Sequence, residues 1–295
     1  MRFGIYSNEN RVIDFALASS TAELILNKGG EVCFESSFSG KGELKSLSGK
    51  SGVSFDGFTS CDVIFSTGGD GTLLYVVSRY RNLDIPFVGI NKGSIGFLTE
   101  IDVERIEDSI DKLISGDYEV INRTQLCTEV YRQDGTLKAT EYSLNDCVVS
   151  RGAKLHVVKL DLYIDGQYVE KFCGDGIIVA TPTGSTAYSL AAGGPIMLPN
   201  MTDIIVTPIC SHTLQSESYC IGSDNKIEII VNDFETAPLI CPDGRDSVDL
   251  EPNDRIVIKA ADKPCKTVMM GYSSFFQNVR KKITQRGSFY EECKK

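Results

Sequence analysis

The chain has 295 residues, 42% hydrophobic and 24% charged, which describes a soluble globular protein of one large or two ordinary domains and excludes a disordered one. A net charge of −10 argues against nucleic acid or an anionic membrane as partner, and no apolar stretch approaches the length of a membrane span. The ten cysteines are scattered without a C-x-x-C pair, and a strand pattern starts at Met1 without a leader, so reduced thiols and a cytoplasmic location are expected.

In chain order, residues 3–7 read as a strand, and 12–26 carry apolar residues at helical spacing up to Lys28-Gly29-Gly30. Residues 32–34 form a second strand, and the Ser-, Gly- and Lys-rich stretch 36–56 reads as a mobile loop. A third strand covers 61–66, a helix runs from Leu73 through Leu74, Val76, Val77 and Tyr80, and a fourth strand covers 85–90. Residues 103–114 make an amphipathic helix that stops at Gly116. Strands alternating with helices predict an α/β domain with a parallel sheet over residues 1–118. Beyond it, 119–130, 138–144, 157–164 and 168–172 are strand-like, with hairpin turns at Asp134-Gly135 and Asp165-Gly166, and 227–231 and 255–259 continue the β character. A β-rich, largely antiparallel domain is therefore expected over 119–260. The tail 261–295, with Phe275, Phe276, Val279 and Ile283, is expected to return to the first domain as a last helix. Such a chain places its ligand in the crevice between its domains.

Gly68-Gly69-Asp70-Gly71-Thr72 follows the apolar run Val63-Ile64-Phe65 and carries the chemistry. Glycines after a strand let backbone N–H groups approach a phosphate, and Thr72 is placed to cap the helix read from Leu73. A carboxylate there would repel that phosphate unless Asp70 takes a proton from an attacking hydroxyl or holds a magnesium ion. An acidic chain handling polyphosphates is also expected to recruit Mg²⁺ for the missing positive charge. The second signal runs from Gly174-Asp175-Gly176 through the buried strand 177–180 to Thr181-Pro182-Thr183-Gly184-Ser185-Thr186-Ala187-Tyr188. Its hydroxyls at Thr183, Ser185 and Thr186 suit a polar ligand, and Tyr188 offers a flat face to a ring. Two other patterns carry less. Gly49-Lys50-Ser51 lacks the strand and the earlier glycine of a phosphate loop, and Asn91-Lys92-Gly93-Ser94-Ile95-Gly96 lacks the first glycine of a dinucleotide fingerprint. His156 and His212 read as structural, and Cys210 with His212 does not make a zinc site.

Taken in order, Gly68-Gly69-Asp70-Gly71-Thr72, Asn91-x-Gly93-x-x-Gly96-Phe97-Leu98, Asn145-Asp146 and the run from Gly174 to Tyr188 resemble the NAD kinase family, with Asp243-Gly244 matching its C-terminal pattern. The resemblance runs from the first strand to about Lys259. It implies magnesium-dependent transfer of a phosphoryl group from ATP to the 2′-hydroxyl of the adenosine ribose of NAD. Asp70 then matches the proton acceptor, with Gly69, Gly71 and Thr72 around it, and Phe97 an aromatic near the adenine. Asn145 and Asp146 match an Asn-Glu pair that binds the dinucleotide, and Asp175 an acid on the nicotinamide half. Thr186, Ala187, Tyr188 and Ala191 fall in the segment lining adenine and ribose, and Thr183 stays a binding candidate on its hydroxyl. The departures are the shorter acid Asp146, Cys173 in place of a basic residue able to reach phosphate, Arg245 in place of glutamine, and Glu217-Ser218 in place of Arg-Pro after Ser211-His212-Thr213-Leu214. A homo-oligomer, dimer or tetramer, is implied as well. The alternatives are a lipid kinase sharing the glycine loop, for which no apolar entry face is visible, and a non-catalytic NAD-binding regulator.

Overall fold

The structure is a computed structural model that describes residues 1–8, 12–91, 96–153, 156–212, 217–232, 237–245 and 247–282. Residues 92–95 of the glycine motif, Thr213, Leu214 and Ile283 lie outside the described residues. The chain divides into two compact units, Met1–Ile121 with Lys266–Lys295, and Asn122–Cys265.

The first unit is built from β1 (Arg2–Ser7), α1 (Val12–Asn27), β2 (Glu31–Cys33), β3 (Val53–Ser54), β4 (Val63–Thr67), α2 (Asp70–Tyr80), β5 (Phe87–Asn91), β6 (Thr99–Asp102), α3 (Ile106–Ser115) and β7 (Glu119–Arg123). The second unit contains β8 (Leu126–Tyr131), β9 (Leu137–Ser143), β10 (Asp146–Ser150), β11 (Val158–Ile164), β12 (Gln167–Gly174), β13 (Gly176–Ala180), α4 (Tyr188–Ala191), β14 (Ile204–Ile209), β15 (Tyr219–Ile221), β16 (Ile227–Val231), β17 (Leu239–Pro242), β18 (Val248–Asp249) and β19 (Arg255–Ala260). A last strand, β20 (Cys265–Met269), returns to the sheet of the first unit.

That sheet has the order β3-β2-β1-β4-β5-β20-β7, with β6 also paired to β5. Strand β1 pairs in parallel with β2 on one side and β4 on the other, so the winding reverses between β1 and β4. Ligands of open α/β sheets gather at the carboxyl ends of strands at such a reversal. Here those ends are Ser7 and Thr67, joined by a hydrogen bond from Thr67 Oγ1 to Ser7 Oγ at 3.0 Å, and the glycine loop leaves the sheet right after Thr67. Helix α3 stops as its sequence says it should, with Gly116 at φ +80° and its N–H on the carbonyls of Leu113 and Lys112.

Two parts of this unit differ from the sequence reading. The stretch 36–56 is packed: it holds 3₁₀ turns at Ser36–Phe38 and Gly42–Leu47, and Phe38, Leu44 and Leu47 are fully buried. Phe38 meets Phe15 of α1 edge-on, with ring centroids 5.4 Å apart. Three apolar anchors spread among Ser, Gly and Lys give no periodic signal, yet each buried side chain of this size contributes about 1.5–3 kcal/mol. The tail also contributes a strand before its helix, because Thr267 pairs with Phe87 of β5.

The second unit consists of two six-stranded antiparallel sheets, β15-β14-β13-β10-β17-β18 and β12-β11-β16-β19-β8-β9. Asp165 at φ +51° and Gly166 at φ +75° form the left-handed turn expected between β11 and β12. Alternate residues of β10, β13 and β14 (Cys147, Val149, Ile177, Val179, Ile204 and Val206) join Leu160, Leu162, Ile229 and Ile256 in one core. The opposite face, with Val148, Ile178, Ala180 and Ile205, is buried too, packed with Met197. Burial on both faces is why 177–180 reads as an unbroken apolar run. It also makes the β13 backbone a rigid support for the loop that follows.

Candidate active site

The glycine loop turns between β4 and α2 on two glycines with different duties. Gly68 has φ +146°, and a Cβ there would lie 2.5 Å from Thr72 Oγ1, so no other residue fits. Gly69 is the residue that caps the helix, which begins at Asp70, earlier than the start expected at Leu73. Thr72 therefore lies inside the first turn and is not the cap. A Cβ at Gly69 or Gly71 would meet open space, and both glycines are exposed. The helix N-terminus is thus approachable from outside, and its dipole favours an anion there.

Asp70 is fixed by backbone. Its Oδ2 accepts the N–H of Phe97 at 2.7 Å, and its Oδ1 accepts the N–H groups of Leu98 and Thr99, both at 3.1 Å, and the Thr99 hydroxyl at 3.3 Å. A Cβ on Gly96 would lie 1.9 Å from Asp70 Oδ1, so the glycine is what lets the carboxylate reach these amides. Asp70 and Phe97, distant in sequence, are thereby brought together.

In the second unit the same device recurs. Asp243, in a left-handed turn at φ +49°, accepts the N–H groups of Leu144 at 2.8 Å, Asn145 at 2.7 Å and Asp146 at 3.2 Å. The Thr181 hydroxyl donates to the Leu144 carbonyl, and the Thr181 N–H donates to the Asn145 carbonyl at 2.8 Å. A Cβ at Gly184 would lie 2.0 Å from Asn145 O, so that glycine permits the 181–186 loop to lie against the Asn145-Asp146 turn. Asp146 is buried, and burial together with the neighbouring Asp243 carboxylate pushes its carboxyl up to about 7. Burial also raises Asp243, against the opposing pull of its three amide bonds. Asn145 Oδ1 is a buried acceptor without a hydrogen-bond partner among the described residues, an arrangement worth a ligand's donor.

The rest of the expected set divides into spent and open groups. Thr183 and Thr186 are buried, the first receiving a 3.3 Å hydrogen bond from the Arg123 guanidinium and the second donating to the Thr183 carbonyl. Ser185 is likewise turned inward, its hydroxyl donating to the Pro182 carbonyl at 2.6 Å. These hydroxyls build the loop, which differs from their reading as ligand-facing groups. Tyr188 is 46% exposed, and Ala191 is exposed beyond the half-buried Ala187. Asp175 pairs with Arg151 at 2.7 Å. Cys173 is half-buried, its carbonyl accepting the His212 N–H at 2.9 Å. Arg245 donates to the Tyr142 carbonyl, which commits it to backbone. Sequence reasoning missed Arg151, and also missed Asp243 as the acceptor that organises the turn. Only the turn-forming pair Asp243-Gly244 signalled it.

A parallel-sheet unit with an acid-bearing glycine loop, and a β-rich unit with its own acid-organised turn, make the frame of a two-domain kinase, and the comparisons agree. The family models for the ATP-NAD kinase N-terminal and C-terminal domains match residues 3–118 and 144–270. The NAD kinase of Thermoanaerobacter sp. (strain X514) is 34% identical over 285 residues, 97% of this chain and 99% of that protein. Among solved structures, yeast NADH kinase complexed with NADH has a TM-score of 0.81 at 22% identity, covering 95% of this chain and 86% of that one. An NAD kinase from Archaeoglobus fulgidus in complex with ATP has a TM-score of 0.69 at 25% identity, covering 95% and 99%. The chain belongs to the NAD kinase family.

Proposed function

We infer that the chain transfers the terminal phosphoryl group of ATP to the 2′-hydroxyl of the adenosine ribose of NAD, giving NADP. The observation that carries this reading is Asp70, a carboxylate fixed by backbone amides at an approachable helix N-terminus, in a chain matched by both NAD kinase domain models. Phosphoryl transfer asks a protein mainly for positioning and charge. A carboxylate has about four lone-pair sites. Oδ1 of Asp70 is filled by two amides and a hydroxyl, whereas Oδ2 accepts one amide, so Oδ2 has room to take the hydroxyl proton.

In the second unit, the orphaned Asn145 oxygen and Asp146 suit ribose hydroxyls, Tyr188 suits a ring face, and the Asp175–Arg151 pair suits the polar nicotinamide half. Mg²⁺ is the proposed counter-charge. Among the described residues no three His, Cys, Asp or Glu side chains are grouped to hold a metal, which fits an ion carried mainly by ATP phosphates with Asp70 as the protein carboxylate at hand. When bound, it would neutralise charge on the transferring phosphoryl group.

A homo-oligomer is proposed on the exposed apolar side chains Ile196, Leu198 and Met201 of the second unit. A cytoplasmic setting is proposed on the described cysteines, all free thiols; no described helix is long and apolar enough to cross a membrane. The test is NADP formation, read by an NADP-dependent dehydrogenase, with ATP, other triphosphates or polyphosphate as donor and NAD or NADH as acceptor. NADP from ATP and NAD is the expected result, and its absence with every donor would sink the reading.

A further inference from the structure

We infer that Lys282, from the C-terminal segment, is a positioning residue of the catalytic centre that acts through Asp70, an inference that rests on the reading of Asp70 above. Lys282 lies beyond residue 270, where the C-terminal family match ends. Its Nζ stands 3.8 Å from Asp70 Oδ2, the oxygen assigned to the hydroxyl proton, and its side chain is only 13% exposed. The same Nζ sits 3.8 Å from the centroid of the Phe97 ring. One cation therefore bridges the two side chains that the site brings together in the first unit, and a partly desolvated ammonium over a ring is attracted more strongly than an exposed one.

The segment carrying Lys282 is firmly attached. The Tyr272 ring centroid lies 4.6 Å from the Arg105 guanidinium and 5.1 Å from the Lys112 ammonium, and the Tyr272 hydroxyl donates to Asp108 at 2.7 Å. The Met270 N–H donates to Glu100 at 3.0 Å, and the Lys112 ammonium donates to the Met270 carbonyl at 3.3 Å. Residues 275–282 are helical, and Gln277, Asn278 and Lys281 line one cavity with Thr99, whose own N–H and hydroxyl bond Asp70. The C-terminal helix thus lies along the segment that grips the catalytic carboxylate. Lys282 holds Oδ2 in line for the incoming hydroxyl and keeps the Phe97 ring from rotating over it.

The experiment compares Lys282→Met, which keeps the aliphatic stem, and Lys282→Arg with wild type for kcat, for KM of NAD and of ATP, and for thermal melting. The expected result for Lys282→Met is a kcat lower by roughly tenfold to a hundredfold, the scale of an ångström misplacement. Both KM values should stay within threefold and melting should be unchanged, while Lys282→Arg recovers most of the loss. Should Lys282→Met melt early, Lys282→Gln decides by the same numbers. A kcat within threefold of wild type, or a loss lying wholly in KM, overturns the inference. In the Asp70→Asn background the lysine change should cost less than twofold, and an undiminished cost there also overturns it. Near-wild-type turnover of Asp70→Asn alone would instead sink the reading of Asp70, so the two failures are distinguishable.

Discussion

In the first unit three consecutive amides, of Phe97, Leu98 and Thr99, converge on Asp70; in the second, those of Leu144, Asn145 and Asp146 converge on Asp243. The local device is the same, but the neighbours differ. Asp70 is 31% exposed and has a lysine 3.8 Å away, while Asp243 shares its surroundings with a second acid, Asp146, and burial raises both acids. A carboxylate that grips a loop beside a cation, with an oxygen still open, can do chemistry. One that grips a loop beside another buried acid is confined to holding shape, and its neighbour becomes the group that senses protons.

Breaking the first grip has the largest expected effect. Asp70→Asn should cost about 1–3 kcal/mol of stability, because its amide nitrogen replaces an oxygen that accepts a backbone N–H, and should lower kcat by about 10²–10⁴-fold, the usual worth of a positioned general base. A loss of less than tenfold would mean the two aspartates are both structural and the contrast is empty. Asp243→Ala should act on the fold first. It leaves three N–H groups without their acceptor, each worth about 1–3 kcal/mol when stranded, so denaturant titration should show at least about 3 kcal/mol lost and calorimetry weaker NAD binding. Unchanged stability would show that the second turn holds itself.

The acid neighbour sharpens the contrast through pH. Asp146 has a folded value of about 7, above the usual carboxylate range, so the folded protein binds that proton more tightly than the unfolded chain does. The resulting stabilisation is full below about pH 4 and is lost as pH rises through 7. Asp146→Asn should therefore flatten the stability profile, removing about 2 kcal/mol of the change between pH 5 and pH 8. A profile equally steep in the variant would place the titration elsewhere. The smallest effect belongs to Cys173→Arg. Because Arg151 already sits on Asp175 at 2.7 Å, the magnesium dependence of turnover should shift by less than twofold. A marked relaxation of the magnesium requirement would mean that position 173 faces the phosphates and lacks its cation.

The parallel and antiparallel units and the glycine loop carrying Asp70 are legible because each leaves a local mark, an alternation of periods or a glycine cluster, whereas Asp146 and Asp175 stand out only through the family resemblance and their ligand roles are proposals. What escaped has no local mark. The acceptor role of Asp243 depends on a turn 97 residues away from it, and Arg151 meets Asp175 only across the ends of two strands. Thr183 and Thr186 looked ligand-facing because hydroxyls in a loop read as polar surface, whereas the loop spends them on its own carbonyls and on Arg123. The packed stretch 36–56 was hidden by dilution: Phe38, Leu44 and Leu47 are buried in a background that reads as loop.

One feature of the first sheet bears on how the molecule is made. Strand β20 stands between β5 and β7, whereas β6 already pairs with β5, so β7 is the strand translated long before the one that joins it to the sheet. Translation at about 5–20 residues per second separates the two by roughly ten to thirty seconds. During that interval the entire inserted β unit leaves the ribosome while β7 waits for the strand that joins it to the sheet. The nascent chain is thus obliged to mature from the inside out, with the insert complete before its host. A messenger truncated just before β20 would release a finished second unit attached to a first one whose β7 has no neighbouring strand, the kind of product that chaperones and proteases are built to find.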